Sequence, residues 1–380
     1  MYSCTSSLPP QEAPATAPKL VGGQVDSPVE IRGVLSQYLG LPIARFDEPG
    51  IEGTACLYLR LKDSGKVVAL TCRHVVFSSH ATALDPDFKH IEGKPRRTMV
   101  QPGDDTLTRH KHSVSWKLNY IPRWIQDLES RTGPEAIIRD NIQRLQNDIP
   151  PFERTKRDLG ELDDLATRIF GHVLYAPQFG LGTTDTNGTW LRDWALIELH
   201  PGKYATPLDK LYNQVFVEQS QRSRGEMLDA FGYDKVKGTR LPIFDEASNT
   251  AWLRGTMPLS GRRANPASLV AKYGSQTGFT VGLASHIKSV IRHVIAGNEF
   301  LSEEWCIISR KDCRDGRRAC FSGGGDSGSC VFGDVGRIGG MLIGRAGYNG
   351  VSDTSYATPI EWLLDDIKEH GYDFEIPTIM

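Results

Sequence analysis

The spacing of apolar and polar positions changes period along the chain. From Gly53 to Phe77 it alternates: Cys56, Tyr58 and Arg60 fall on one face, and Leu57, Leu59 and Leu61 on the other. Asp63-Ser64-Gly65 supplies a turn and Val67 to Leu70 an apolar return, which predicts a β-hairpin. That hairpin delivers Thr71-Cys72-Arg73-His74 to a strand end. Between Ile121 and Phe170 the period moves to about 3.6. There Ile121, Trp124, Ile125 and Leu128 predict a helix stopped at Gly133. A second begins at Pro134 with Ile138, Ile142 and Leu145 on one face and breaks at Ile149-Pro150-Pro151; Leu159, Leu162, Leu165 and Ile169 predict a third.

Strand-length runs resume at Gly171 to Tyr175, Trp194 to Leu199, Val215 to Val217 and Ala251 to Leu253. Further ones span Leu269 to Tyr273, Trp305 to Ile308 and Ile338 to Ile343, with Gly, Pro, Asn and Asp between them. Many short strands with such turns imply a mainly β sandwich or barrel. Thr358-Pro359-Ile360-Glu361 has capping-box spacing with Pro at the first helical position, predicting a closing helix through Leu363, Leu364 and Ile367 that stops at Gly371.

At 380 residues the chain can bury a sizeable core. Its formal net charge of −2 advertises neither nucleic acid nor an anionic membrane as partner, and the basic clusters at Arg262-Arg263 and Arg314 to Arg318 are too short to change that. The first residues are rich in Pro, Ser and Ala, which predicts a disordered tail over 1–30, and they lack the charged start and apolar run of a secretory signal. A cytoplasmic location is therefore expected. Seven cysteines form an odd set, which favours free thiols, with Cys313 and Cys320 the pair best spaced to bridge in an oxidising setting. Without secretion the Asn187-Gly188-Thr189 sequon has no consequence.

The chemistry-bearing stretch is Phe321 to Cys330, FSGGGDSGSC. A serine hydroxyl attacks at neutral pH only when a base takes its proton, and histidine is suited to that task. His74 is the candidate base. The base needs a buried carboxylate to fix its tautomer, and Asp193 stands immediately before an apolar strand. Thr108-Arg109-His110-Lys111-His112 places two histidines on one face if it is a strand, with His80 and His90 nearby in sequence, but no Cys or Glu completes a zinc set. GGGDSG lacks the lysine and helix of a phosphate loop. No metal and no cofactor is expected.

In the order His, Asp, Ser, the segments Thr71-Cys72-Arg73-His74-Val75, Asp193-Trp194-Ala195-Leu196-Ile197 and Gly325-Asp326-Ser327-Gly328-Ser329 resemble those of the chymotrypsin/trypsin-like serine proteases. From about Leu39 to Ile367 the chain also resembles uncharacterised intracellular trypsin-like proteins of fungi. The resemblance implies two six-stranded antiparallel β-barrels and a C-terminal helix. The first barrel would span 31–205 with the helical insertion at about 121–170, and the second 206–380. It further implies a serine endopeptidase, a hydrolase of polypeptide substrates. Ser327, His74 and Asp193 would be its triad, and the N–H groups of Gly325 and Ser327 its oxyanion hole. The pocket would have Phe321 at its floor, six positions before Ser327, and Ile343, Gly344 and Arg345 along the cleft segment Ile343 to Gly347. Arg345 stands where such proteases commonly carry glycine, so it either narrows the pocket, favours an acidic side chain, or turns to solvent. The 119 residues between His74 and Asp193 accommodate the helices, which offer a surface for a protein partner. Lys19-Leu20-Val21-Gly22-Gly23 imitates a zymogen activation site with Asp326 as receiver, yet lies far before His74, so no cleavage is expected. The alternative function is a catalytically silent fold of this type serving as a protein-binding scaffold.

Overall fold

The computed structural model describes residues 11–22, 35–77, 85–184, 188–216, 244–245, 250–257, 267–295, 297–309, 320–346 and 354–378. Gly23, His80, Asn187, Val217, Arg262, Arg263, Cys313, Arg314 to Arg318 and Gly347, all named above, lie outside those residues.

The first half forms β1 (Pro42–Arg45), β2 (Glu48–Thr54), β3 (Leu57–Leu61), β4 (Val67–Thr71), β5 (Phe88–Lys89), β6 (Thr98–Val100), β7 (Ile169–Ala176), β8 (Gly180–Thr184), β9 (Gly188–Arg192) and β10 (Ala195–Leu199). Then come β11 (Gln214–Phe216), β12 (Phe244–Asp245) and β13 (Thr250–Trp252), a small three-stranded sheet. The second half holds β14 (Ala267–Gly274), β15 (Gly278–Ile295), β16 (Asn298–Ser309), β17 (Cys330–Gly333), β18 (Ile338–Ala346) and β19 (Thr354–Pro359), and the chain ends with β20 (Phe374–Glu375). Strands β14, β15, β16, β19, β18 and β17 close into a six-stranded barrel around Val270, Trp305, Ile307, Phe321, Val331 and Leu342. The first sheet has nine strands in the order β2-β1-β6-β7-β10-β4-β3-β20, with β5 on β7, where six were expected. Part of the excess is β20, which returns from the C-terminus to pair Phe374 with Leu61. The fold is mainly β.

The predicted hairpin is β3 and β4, paired Leu57 to Leu70 and Arg60 to Val67, with Gly65 at φ +68° in its turn. Four residues after β4 form a helical turn, α1 (Arg73–Val76). The helical insertion differs from its expected bounds. Helix α2 (Asp104–Ser130) starts earlier than Ile121, because its buried residues Leu107, Val114 and Ile121 recur only every seventh position in a polar background. Glu52 holds its first turn, accepting from Thr106 N (3.0 Å) and Thr106 Oγ1 (2.7 Å). Helix α3 (Glu135–Gly160) runs through Pro150 and Pro151 instead of breaking there. Packing of Phe152 and Leu159 into a core shared with α2 outweighs the lost helical hydrogen bonds. The expected third helix is absent over Ile169 and Phe170, which belong to β7. His110 and His112 sit on α2, where a two-residue spacing turns side chains to different sides, so the strand reading of that segment is corrected.

Helix α4 (Ile360–Glu369) closes the chain as predicted, but Pro359 is its N-cap and the capping box does not form. Thr358 Oγ1 donates to Glu304 instead. Residues 11–22 also depart from the expected disordered tail. Leu20 is fully buried, its N–H donates to Lys203 O at 2.7 Å, and Lys203 Nζ reaches Pro18 O at 2.6 Å. Among the described residues no helix is long and apolar enough to cross a membrane.

Because Leu20 anchors this segment in the core, Leu20→Ala is expected to destabilise the fold by about 2–5 kcal/mol. Urea unfolding checks this, and an unchanged midpoint would show that the segment is not docked.

Candidate active site

Antiparallel pairing of β4 with β10 sets Thr71 opposite Ala195. His74 follows Thr71 by one short turn and Asp193 precedes Ala195 by two residues, so both leave the sheet at the same end. Arg73, itself buried, fixes the turn by donating to Ala176 O (3.0 Å) and Pro177 O (2.7 Å). Asp193 is 2% exposed and meets His74 twice: His74 N donates to Oδ1 at 3.0 Å, and His74 Nδ1 lies 2.6 Å from Oδ2. The imidazole side chain is 35% exposed. Burial alone would depress the His74 pKa, but the Asp193 charge and hydrogen bond reverse this and hold it above its ordinary 6.5. Burial likewise opposes the ionised form of Asp193, and His74 overcomes it, so the carboxyl stays below its usual range.

Asp193 is held through its neighbours. Arg192 Nη2 and Trp194 Nε1 each donate at 2.7 Å to the buried carboxylate of Asp366 on α4. One residue earlier, Leu191 N donates to Glu304 on β16 at 2.9 Å.

Ser327 lies in the loop before β17, and that loop is pinned against the strand end carrying His74. Thr54 N donates to Ser327 O (2.8 Å), Thr54 Oγ1 to Gly325 O (3.0 Å) and Thr71 Oγ1 to Thr54 O (2.7 Å). The Leu342 carbonyl receives both Gly328 N (2.8 Å) and Cys72 Sγ (3.3 Å), joining residues adjacent to Ser327 and to the His74 turn. Gly328 has φ +91°, and a Cβ there would meet Thr54 O at 2.0 Å, so only glycine permits this approach. Gly325, at φ +98°, has its carbonyl held also by Ser275 Oγ at 2.9 Å. Among the described residues the N–H groups of Gly325 and Ser327 have no intramolecular acceptor.

Asp326, fully buried, forms an ion pair of 3.1 Å with Lys272, which is buried too. It also accepts from Gln276 N (2.8 Å), Gly323 N (2.8 Å) and Thr277 Oγ1 (2.6 Å). Burial would raise its pKa, yet Lys272 and these donors keep it low. Lys272 was not singled out in the sequence; a lone lysine inside the apolar run Leu269 to Tyr273 is the signal that marked it.

Phe321 is fully buried within the second barrel, inside its core and not on an open floor. Ile343 is nearly buried, the side of Gly344 where a Cβ would stand is open, and Arg345 is exposed with Nη1 on Ser322 O at 3.2 Å. Cys72, His74 and Asp193 bring their donor atoms within 4.8 Å of one another, the one such three-donor group among the described residues. Two of its donors are already joined by the 2.6 Å hydrogen bond, and burial holds the Cys72 thiol protonated.

No protein-family model matches the chain, and no curated protein matches it. Among solved structures it is similar to Thermobifida fusca protease A, with 12% identity, a TM-score of 0.40 and coverage of 90% of this chain and 98% of that one. A Nocardiopsis protease matches with the same values. A glutamic-acid-specific serine protease described as using a histidine triad in substrate binding matches at 12% identity and a TM-score of 0.39, over 89% of this chain and all of that one.

Replacing Lys272 by Met leaves Asp326 buried without its cation, which is expected to destabilise the protein by about 3–5 kcal/mol. Adding Asp326→Asn to that variant is expected to recover part of the loss. Denaturant unfolding of the two variants measures both effects, and full stability in Lys272→Met would contradict the pairing.

Proposed function

We propose that the protein is a serine endopeptidase in which Ser327 is the nucleophile, His74 the base and Asp193 the group that orients the base. The observation that carries this reading is the double contact between His74 and a buried Asp193 beside the pinned Ser327 loop. With Nδ1–H directed at Asp193, Nε2 is left to accept a proton. Ser327 Oγ attacks the peptide carbonyl carbon as its proton passes to Nε2. The carbonyl oxygen becomes an oxyanion and accepts from the N–H groups of Gly325 and Ser327, each donor worth roughly 3 kcal/mol in such sites. Collapse breaks the C–N bond, His74 returns the proton to the leaving amine, and water reverses the sequence on the acyl-enzyme. Polypeptide is the substrate and no cofactor takes part. The likeness to intracellular fungal trypsin-like proteins, a cytoplasmic site of action and a protein partner for the α2–α3 hairpin belong to this proposal as well.

The Lys272–Asp326 pair supports activity without cleavage. Asp326 already has a cation, and Leu20 and Val21 are engaged beside Tyr204 and Ser36. Intact mass on active protein is expected to show an uncut chain; activity arising only after loss of residues 1–19 would contradict this.

Ser327→Ala is expected to abolish cleavage of a protein substrate while leaving the fold unchanged. His74→Ala is expected to abolish cleavage too, with some loss of stability because buried Asp193 is left without its partner, and the losses in rate do not add. Wild-type turnover in Ser327→Ala would end the proposal. His74 acts only when neutral and its pKa is raised, so kcat/KM should climb with pH along a limb centred above 6.5. A limb centred well below that value would contradict the role of Asp193.

Arg345 is placed on the pocket wall in this reading, its guanidinium reaching toward the Ser322 side. It narrows the entrance and favours a carboxylate before the scissile bond. In a peptide-library profile, Arg345→Gly is expected to broaden cleavage toward bulky apolar residues. A wild-type preference for Lys or Arg would overturn the placement.

A further inference from the structure

Three residues around Asp193 are tied to other parts of the chain, and one tie is unlike the rest. Arg192 and Trp194 are charged or neutral donors to Asp366, so that carboxylate has a cation. Glu304 has none: among the described residues no basic side chain forms an ion pair with it, although it is fully buried. Its Oε1 accepts Leu191 N at 2.9 Å from β9, and its Oε2 accepts Thr358 Oγ1 at 3.1 Å from the end of β19. Glu304 therefore joins the segment carrying Asp193 to the barrel whose loop carries Ser327. Thr358 spends its hydroxyl on this contact instead of capping α4.

We propose that Glu304 is a positioning residue for the reaction described above: it fixes the Asp193 segment against the second barrel, and its charge tunes how strongly the buried acidic group polarises His74. This rests on the endopeptidase reading. The charges of Asp193 and Glu304 act on one another, and Glu304 also acts on the Cys72 thiol, both partners lying at strand ends of the first sheet. His293 of β15 approaches through Ser302, whose Oγ lies 2.9 Å from His293 Nε2. The nearby basic side chains Arg192 and Lys288 are engaged by Asp366 and Glu303. Burial pushes the Glu304 carboxyl up to about 7, against the pull of its hydrogen bonds from Leu191, Ser302 and Thr358, with Asp193 adding to the rise. An uncompensated carboxylate so placed changes charge near neutral pH, and its titration is coupled to those of Asp193 and His74. When it ionises, the added negative charge favours the imidazolium. When it is protonated, one oxygen becomes a donor and the paired acceptance from Leu191 and Thr358 weakens.

The test compares the full-length wild type with Glu304→Gln and Glu304→Ala. The His74 imidazole is titrated by NMR, which needs no substrate, alongside the pH dependence of fluorophosphonate reaction at Ser327. Glu304→Gln keeps an oxygen for Leu191 N and removes the charge, so it should lower the His74 pKa by roughly half a unit and remove one ionisation from the reaction profile. Glu304→Ala also removes the tie and should reduce kcat by about tenfold or more with little change in KM, most of it restored in Glu304→Gln. A His74 titration and reaction profile identical to wild type in Glu304→Gln would overturn the proposal, including where Glu304→Ala fails to fold. A wild-type Ser327 inert to fluorophosphonate, with the His74 shift still present, would instead defeat the endopeptidase reading and leave the electrostatic link to Glu304 standing.

Discussion

The register of β4 against β10 is the constraint on which the candidate site depends. With Thr71 opposite Ala195, a histidine and an aspartate separated by 119 residues emerge at one sheet end within hydrogen-bond reach. A shift of one residue would send every side chain of the strand to the other face. Close packing of β4 on both faces opposes that shift, since a slip would exchange Val67 and Ala69 with Val68 and Leu70, enclosed side chains of different size. The helical hairpin can then be inserted between His74 and Asp193 without disturbing either residue, because α2 and α3 build their own core.

Around this register the protein places buried charges in a consistent way. Asp193 faces His74, Asp326 faces Lys272, and Asp366 faces Arg192. Removing one member of such a pair exposes the other to the full desolvation penalty, so the pairs enforce geometry more than they add stability. Lys272 and Asp326 hold the base of the Ser327 loop, while Asp366 holds the residues on either side of Asp193. Among the described residues Glu304 is the exception that lacks a cation, and it occupies the junction between the two halves.

Much of this was legible in the sequence, and what was not has physical causes. The β3–β4 hairpin, β7, β10, β14 and β18 showed because short apolar runs were bounded by turn residues. The start of α2 did not, because Leu107, Val114 and Ile121 are spread too thinly along a polar helix to display a period. The continuation of α3 through Pro150 and Pro151 depends on tertiary packing, which local propensity cannot report. His74, Asp193 and Ser327 were visible as motifs. Their supports, Lys272, Glu304 and Asp366, come from distant elements, and nothing in local sequence says which buried charge meets which partner. Phe321 illustrates the reverse case: its position in the motif suggested a pocket floor, while its apolar ring belongs to the barrel core.

The central claim is that the pinned Ser327 loop and the His74–Asp193 pair form one nucleophilic unit. Treatment of the folded protein with a fluorophosphonate, followed by peptide mass mapping, tests it most directly. The account predicts a single adduct on Ser327 that fails to form when His74 is replaced by Ala. Folded wild-type protein that forms no adduct, or forms it equally well without His74, would contradict it.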